Sequence, residues 1–231
     1  MLERVGFKAL ATTSSGFAFT LGRRDGDVTL DEVIAHTAQL AEATALPVSV
    51  DLENGYGPRP DDAALAITRA AEAGAVGGSI EDYDPGGELY ALEHAVERVA
   101  AAVEAARALD FPFTLTARAE NHIRGNPDLD DTIARLQAYE QAGADVLYAP
   151  GLETVEEIRA VCAALSKPVN VLARRGLTVE EIAAAGAQRI SVGGALTWVA
   201  AGALISAAQA MLERGDFSVL AAGVDIDAWL S

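Results

Sequence analysis

The sequence predicts a (βα)₈-type barrel, and three observations carry that prediction. Helical stretches alternate with short apolar runs along all 231 residues, without a long linker or low-complexity segment. Such alternation means a parallel sheet with right-handed crossovers. The openings of the apolar runs also alternate. Gly6-Phe7, Ala73-Gly74-Ala75, Ala142-Gly143-Ala144 and Ala185-Gly186-Ala187 are glycine-type, ending a helix in the left-handed cap that glycine tolerates. Pro47-Val48, Pro112-Phe113 and Pro168-Val169 open the runs between them. This duplicated βαβα pattern favours a closed barrel over an open doubly wound sheet. Finally, polar residues collect at the carboxyl ends of the runs, where barrels of this kind do their chemistry.

In chain order, strands are expected at 7–12, 48–51, 78–81, 113–117, 146–148, 169–172 and 189–192. Thr29 with Glu32, Thr154 with Glu157 and Thr178 with Glu181 have the spacing of capping boxes and start three of the helices. Seven strands are countable, whereas a closed barrel of this type needs eight. The first visible strand is glycine-type, so a proline-type strand and its helix are expected ahead of it. Residues 1–231 therefore read as a single barrel domain lacking its first strand and helix, with Met1–Gly6 as the tail of that helix. Residues 83–87, with Pro85-Gly86-Gly87, form a loop able to close over the barrel mouth, or a plain surface turn.

Composition excludes several functions. A formal net charge of −17 opposes nucleic acid, which needs a basic footprint, and opposes an anionic membrane surface. No apolar run is expected to span a membrane, and no signal peptide precedes the first strand. The one cysteine, Cys162, lies in an apolar helical run and reads as a buried thiol in a reducing cytoplasm. The helix over 194–214, with Trp198, Leu204, Ile205 and Met211, is more apolar than one barrel flank requires, so a homodimer or homotetramer is expected.

The strand ends carry the chemistry. Asp51 and Glu53 close the second strand; two apart in an extended chain, they present carboxylates side by side. Like charges that close are costly unless a cation or proton lies between them; a polar strand end before a glycine turn is the competing reading. The third end adds Glu81, Asp82 and Asp84, and the fourth Arg118, Glu120, Asn121 and His122. Carboxylates from separate strands at one mouth suit a hard cation such as Mg²⁺. A lone arginine beside them suits a carboxylate or phosphate. Thr12 to Gly16 offer hydroxyls and amides for an anion, though such a stretch is also ordinary turn material. His36 and His94 fall within helices without a role. His122 could shuttle protons or hold a structural hydrogen bond.

These stretches, with Asp51-Leu52-Glu53-Asn54-Gly55-Tyr56-Gly57, Gly78-Ser79-Ile80-Glu81-Asp82, Thr116-Ala117-Arg118, Gly143-Ala144-Asp145 and Ile190-Ser191-Val192-Gly193, resemble the isocitrate lyase/phosphoenolpyruvate mutase superfamily over nearly the whole chain. The resemblance implies Mg²⁺-dependent enzymes that make or break C–C or P–C bonds beside the enolate of a 2-oxo acid such as pyruvate. It assigns Asp51, Glu53 and Glu81 to the metal, Arg118 to a substrate carboxylate, and Ser15, Gly16 and Phe17 to the oxo-acid end. It also implies an N-terminal strand and helix ahead of this chain, and a last barrel helix packed on a partner subunit.

The departures from that family narrow the reading. Isocitrate and methylisocitrate lyases carry a Lys-Lys-Cys-Gly-His or Lys-Arg-Cys-Gly-His loop after the Glu81 position, and phosphoenolpyruvate mutases and oxaloacetate-cleaving members typically a lysine there. Here the loop runs Asp82-Tyr83-Asp84-Pro85-Gly86-Gly87-Glu88-Leu89-Tyr90, with none of these residues. The expected function is a Mg²⁺-dependent lyase of a 2-oxo or 2-hydroxy carboxylate, with Arg118, Tyr56 and His122 as catalytic candidates and Tyr83 as a further proton donor. The alternatives are a phosphonomutase or carboxyphosphonoenolpyruvate mutase, and a non-catalytic 2-oxo-acid binding protein.

Overall fold

A computed structural model describes residues 1–230 of the chain. In order it holds α1 (Leu2–Val5), β1 (Leu10–Ala11), α2 (Ser14–Thr20), α3 (Leu30–Ala43), β2 (Val48–Asp51), α4 (Pro60–Glu72) and β3 (Gly77–Glu81). A hairpin follows, β4 (Tyr83–Asp84) with β5 (Glu88–Leu89), then α5 (Leu92–Arg107), β6 (Thr114–Arg118), α6 (Leu129–Gln141) and β7 (Val146–Tyr148). The chain continues through α7 (Val155–Ala163), β8 (Val169–Leu172), α8 (Val179–Ala184), β9 (Arg189–Ser191) and α9 (Ala195–Arg214). A 3₁₀ turn (Ser218–Ala222) and α10 (Ile226–Leu230) come last.

Seven strands form one parallel sheet in the order β1-β2-β3-β6-β7-β8-β9, curled as a half-barrel. Sequential strands lie side by side because each helix crosses over and returns the chain one place along. Among the described residues no pairing joins β9 to β1, so the barrel type is right and closure is not seen. Two apolar cores lie between sheet and helices, one around Leu136, Tyr139, Leu147 and Ile158, the other around Val50, Leu52, Ile67 and Leu115.

The expected punctuation is present. Gly6, Gly74, Gly143 and Gly186 have φ between +94° and +110°, and all three capping boxes close. Boundaries shift where a run meets no partner. The first strand pairs only at Leu10–Ala11, leaving Phe7 exposed, and the sixth reaches Arg118, making the arginine its last residue. Residues 83–89 are a two-stranded hairpin rather than an open loop.

Two expectations need correction. The Thr13–Phe17 stretch is not a loop beyond Ser14 but the short helix α2, packed so closely on α9 that a Cβ at Gly16 would lie 2.9 Å from Thr197 Oγ1. Helix α9 is 20 residues long with a mean hydropathy of 1.6 and little cover, so by length and composition it does pass for a membrane span. Its alanines and glycine spread that apolarity thinly, which hides it in the sequence.

Candidate active site at the strand ends

The second strand stops at Asp51, and the chain turns at once. Glu53 and Tyr56 are the two non-glycine residues with positive φ, at +49° and +62°. Such conformations cost about 1–3 kcal/mol each and persist where the surroundings impose them. The imposing group is Arg98 of α5, buried, which donates to the carbonyls of Gly57 (2.8 Å), Arg59 (3.1 Å) and Asn54. On the other side a Cβ at Gly55 would lie 2.9 Å from Ala63 Cα. The strand pleat therefore does not align Asp51 and Glu53, as alternation suggests; the turn does. Glu53 N–H donates back to Asp51 Oδ1 at 3.4 Å.

Arg118 stands at the centre of the acids. Its Nη1 meets Asp51 Oδ1 at 3.0 Å, its Nη2 meets Glu81 Oε2 at 3.0 Å, and Nε and Nη2 meet Glu120 Oε1 at 3.0 and 2.8 Å. Its guanidinium also lies 5.3 Å from the Tyr148 ring centroid. Arg124 closes the outer side, on Glu81 Oε1 at 3.3 Å and Glu120 Oε2 at 3.2 Å, stacked 3.8 Å over Tyr83. Even so, two arginines face four carboxylates. Burial, then Asp51, pushes the Glu53 carboxyl up to about 7. Burial, with Glu120 and Asp51, holds Glu81 well above the usual range despite Arg118.

The remaining candidates divide. Tyr56 O–H donates to Glu53 Oε1 at 3.2 Å, and burial raises its pKa, so the phenol keeps its proton. Ser14 N–H donates to Asp51 Oδ2 at 3.1 Å, joining α2 to the acids. The amides of Ser15 and Gly16 are unpartnered among the described residues, but Phe17 N–H is spent on Thr13 O at 3.0 Å. The Phe17 ring stacks on His36, with centroids 4.1 Å apart. His122 is not drawn into the cluster. Its Nδ1 lies 2.8 Å from Thr132 Oγ1, which already donates to Asp128 O, so Nδ1 carries the proton and Nε2 is a buried acceptor without a donor.

Sequence reasoning counted Glu120 and Asp82 among the strand-end acids without an individual role, and passed over Arg98. Asp82, buried beside Glu81, accepts Glu120 N–H on Oδ1 at 2.8 Å and Arg135 Nη1 on Oδ2 at 3.0 Å. The spacing of Arg118 and Glu120, two apart at a strand end, was the one available signal.

The donors fit a hard divalent cation in kind: carboxylate oxygens in surplus, two of them with raised pKa. As placed they hold Arg118, and among the described residues no three acidic, histidine or cysteine side chains converge tightly enough to grip an ion alone.

Residues 1–212 match the family model described as phosphoenolpyruvate phosphomutase. A candidate lyase/mutase of Burkholderia cenocepacia J2315 has a crystal structure that superimposes with a TM-score of 0.96 at 52% identity, covering 100% of this chain and 85% of that one. The 2-methylisocitrate lyase of Escherichia coli K12 is 30% identical over 180 residues, 73% of this chain and 59% of its own. An oxaloacetate decarboxylase of Bradyrhizobium diazoefficiens is 33% identical over 153 residues, 62% of this chain and 50% of its own. The chain thus spans 59% and 50% of the length of these two relatives.

Proposed function

The chain belongs to the isocitrate lyase/phosphoenolpyruvate mutase superfamily, and from that premise we propose that it is a Mg²⁺-dependent lyase acting beside the enolate of a 2-oxo acid. The observation that carries this reading is the meeting of Asp51, Glu81 and Glu120 on one arginine at the carboxyl ends of three adjacent strands, with Glu53 beside Asp51. Names of relatives that cleave or decarboxylate such acids support the same chemistry.

Asp51, Glu53 and Glu81 would hold Mg²⁺, partly through water, since the ion keeps several waters by preference. When bound, the ion supplies Lewis-acid stabilisation of the enolate oxygen. The chain's own residues do the rest. Ser15 and Gly16 offer two free amides to the developing oxyanion. Arg118 balances the acids and fixes their spacing, so its part in binding a substrate carboxylate requires one of those acids to turn to the metal. Tyr56, protonated and hydrogen-bonded to Glu53, is the proton donor in this reading. His122, committed to Thr132, drops out of that role.

A cytoplasmic setting suits the chain, because Cys162 is free and half-buried. A second reading, P–C bond chemistry, has the family model's description in its favour. The C–C reading is preferred on the names of the two relatives above, a 2-methylisocitrate lyase and an oxaloacetate decarboxylase. Turnover of 2-hydroxy, 2-oxo and phosphono acids with and without Mg²⁺ tests the choice, alongside Glu81→Gln. The expected result is Mg²⁺-dependent cleavage of a carbon acid, with Mg²⁺ affinity reduced in the variant. Unchanged Mg²⁺ binding in Glu81→Gln would reject the carboxylate assignment.

A further inference from the structure

The hairpin that follows Glu81 brings no lysine, cysteine or histidine to the site. It reaches the site by another route. Tyr90, the residue that leaves the hairpin, is buried against α5. Its ring lies 4.7 Å from the Arg98 guanidinium and edge-on to His94, with centroids 5.2 Å apart. The same two α5 side chains hold the turn after β2. Arg98 donates to the carbonyls of Asn54, Gly57 and Arg59, and His94 Nε2 donates to that of Pro58 at 2.8 Å. Ring and turn therefore share one support.

Between them lies Asn54, 4% exposed, and its amide fits in one orientation. Tyr56 N–H can only donate, so the atom it meets at 3.0 Å is Asn54 Oδ1. Asn54 Nδ2 then donates to the Tyr90 hydroxyl at 3.0 Å. With that oxygen accepting, the Tyr90 proton turns to Asp84 of the hairpin; burial first, and this carboxylate after it, raise the phenol's pKa. One directed chain of hydrogen bonds thus runs from Tyr56 through Asn54 and Tyr90 to Asp84. It begins on the residue held at a φ of +62°, whose hydroxyl meets Glu53. Without the Tyr90 oxygen, Asn54 Nδ2 is a buried donor with no acceptor, and the amide gains by rotating away from Tyr56.

We propose that Tyr90, acting through Asn54, is a positioning residue for Tyr56, fixing the turn that sets the Tyr56 hydroxyl on Glu53. The inference rests on the reading above in which Tyr56 donates the proton. It gives the hairpin a task at the site without a reacting group of its own.

Two measurements on the full chain test this. Amide hydrogen exchange by NMR, without metal, reads the Tyr56 N–H directly. Tyr90→Phe keeps the ring beside Arg98 and should lower that protection roughly tenfold, the worth of one hydrogen bond. Asn54→Ala should lower it at least as far. Ketonisation of enolpyruvate with Mg²⁺ reads the proton donor. A phosphatase releases the enol from phosphoenolpyruvate; C3 takes the Tyr56 proton, and the enol O–H proton passes to solvent, which restores the phenol. Tyr90→Phe should slow this step roughly tenfold to a hundredfold, the cost of misplacing a reacting group by about 1 Å. Pyruvate binding by calorimetry should stay nearly unmoved. Tyr90→Phe combined with Asn54→Ala should be no slower than Asn54→Ala alone, since both act through one amide. If Asn54→Ala does not fold by circular dichroism, Asn54→Ser takes its place. Unchanged Tyr56 protection in Tyr90→Phe, or losses that multiply in the double variant, would overturn the inference. A parent that does not speed ketonisation, or a Tyr56→Phe variant as fast as the parent, defeats the proton-donor reading instead, and amide exchange still decides whether Tyr90 holds the turn.

Discussion

Tyr139 donates a 2.5 Å hydrogen bond to Asp82 Oδ2, the same oxygen that Arg135 holds at 3.0 Å. Through its other oxygen Asp82 fixes the backbone of Glu120, which in turn grips Arg118. A chain of contacts thus runs from α6 to the middle of the site. Asp82→Asn takes the buried carboxylate from Arg135 and leaves it the partly exposed Asp131, and breaking buried pairs costs up to about 3–5 kcal/mol. Urea unfolding should show a loss of that order. Arg135→Met together with Asp82→Asn should recover part of it, because no uncompensated charge is then buried.

A second prediction concerns Arg118 itself. The arginine neutralises acids that otherwise repel one another, so Arg118→Met should destabilise the metal-free protein. Mg²⁺ can take over that neutralising role. Its addition should therefore raise the melting temperature more in the variant than in the parent, by mass action on the folded state alone. Equal Mg²⁺ responses in the two proteins would show that the carboxylates do not receive the ion.

Glu53 supplies a pH test. Its carboxyl, ordinarily near 4.5, is raised to about 7 in the fold, first by burial and then by Asp51. Between those values the folded protein binds more protons than the unfolded chain, so stability falls as pH rises through that window. Glu53→Gln should flatten the slope between about 4.5 and 7 in metal-free denaturation. A slope unchanged by the substitution would mean that Glu53 titrates normally.

How much of this could be read from the chain depended on sequence distance. Strand order and helix starts were legible because glycine, proline and Thr-x-x-Glu act locally; Gly74 and Gly186 adopt the left-handed geometry their neighbours implied. Asp51, Glu53, Glu81 and Arg118 were legible because each closes, or directly follows, an apolar run. Arg98, Asp82 and Tyr139 were not. Their partners lie 38 to 57 residues away, and an arginine inside a helix looks like any solvated charge until the fold buries it. The stretch from Ser14 to Phe17 was read as a loop because glycine and hydroxyl residues are turn material, while packing of Gly16 against α9 keeps it helical.

The same packing rule supports a stability prediction at Gly186. With φ at +110°, and with its would-be Cβ only 2.9 Å from Cys162 Cβ, this position penalises alanine twice. Gly186→Ala should cost more than about 1 kcal/mol, the scale of the backbone effect alone. Cys162→Ala leaves the Cβ in place and should not rescue it; a rescue would show that the sulfur was the obstacle.

The last prediction concerns the uncovered helix. Along α9, Trp198, Val199, Leu204, Ile205 and Leu212 are exposed, and Ala210 is its one buried residue. An exposed apolar patch of this extent marks an association surface. Ser15 of α2 lies against Gly194, where a Cβ would come 2.7 Å from Ser15 Oγ, so whatever covers α9 also steadies the amides of Ser15 and Gly16. A second copy of this chain is the proposed cover, as a homodimer or homotetramer. Light scattering should report the oligomer for the parent and a monomer for Leu204→Glu combined with Val199→Glu, since two charges cannot be buried in an apolar seam without partners. The monomer should retain the far-ultraviolet dichroism of the barrel but bind 2-oxo acids more weakly. A parent that is monomeric at micromolar concentration would leave α9 to another partner and remove the expected link between assembly and the site.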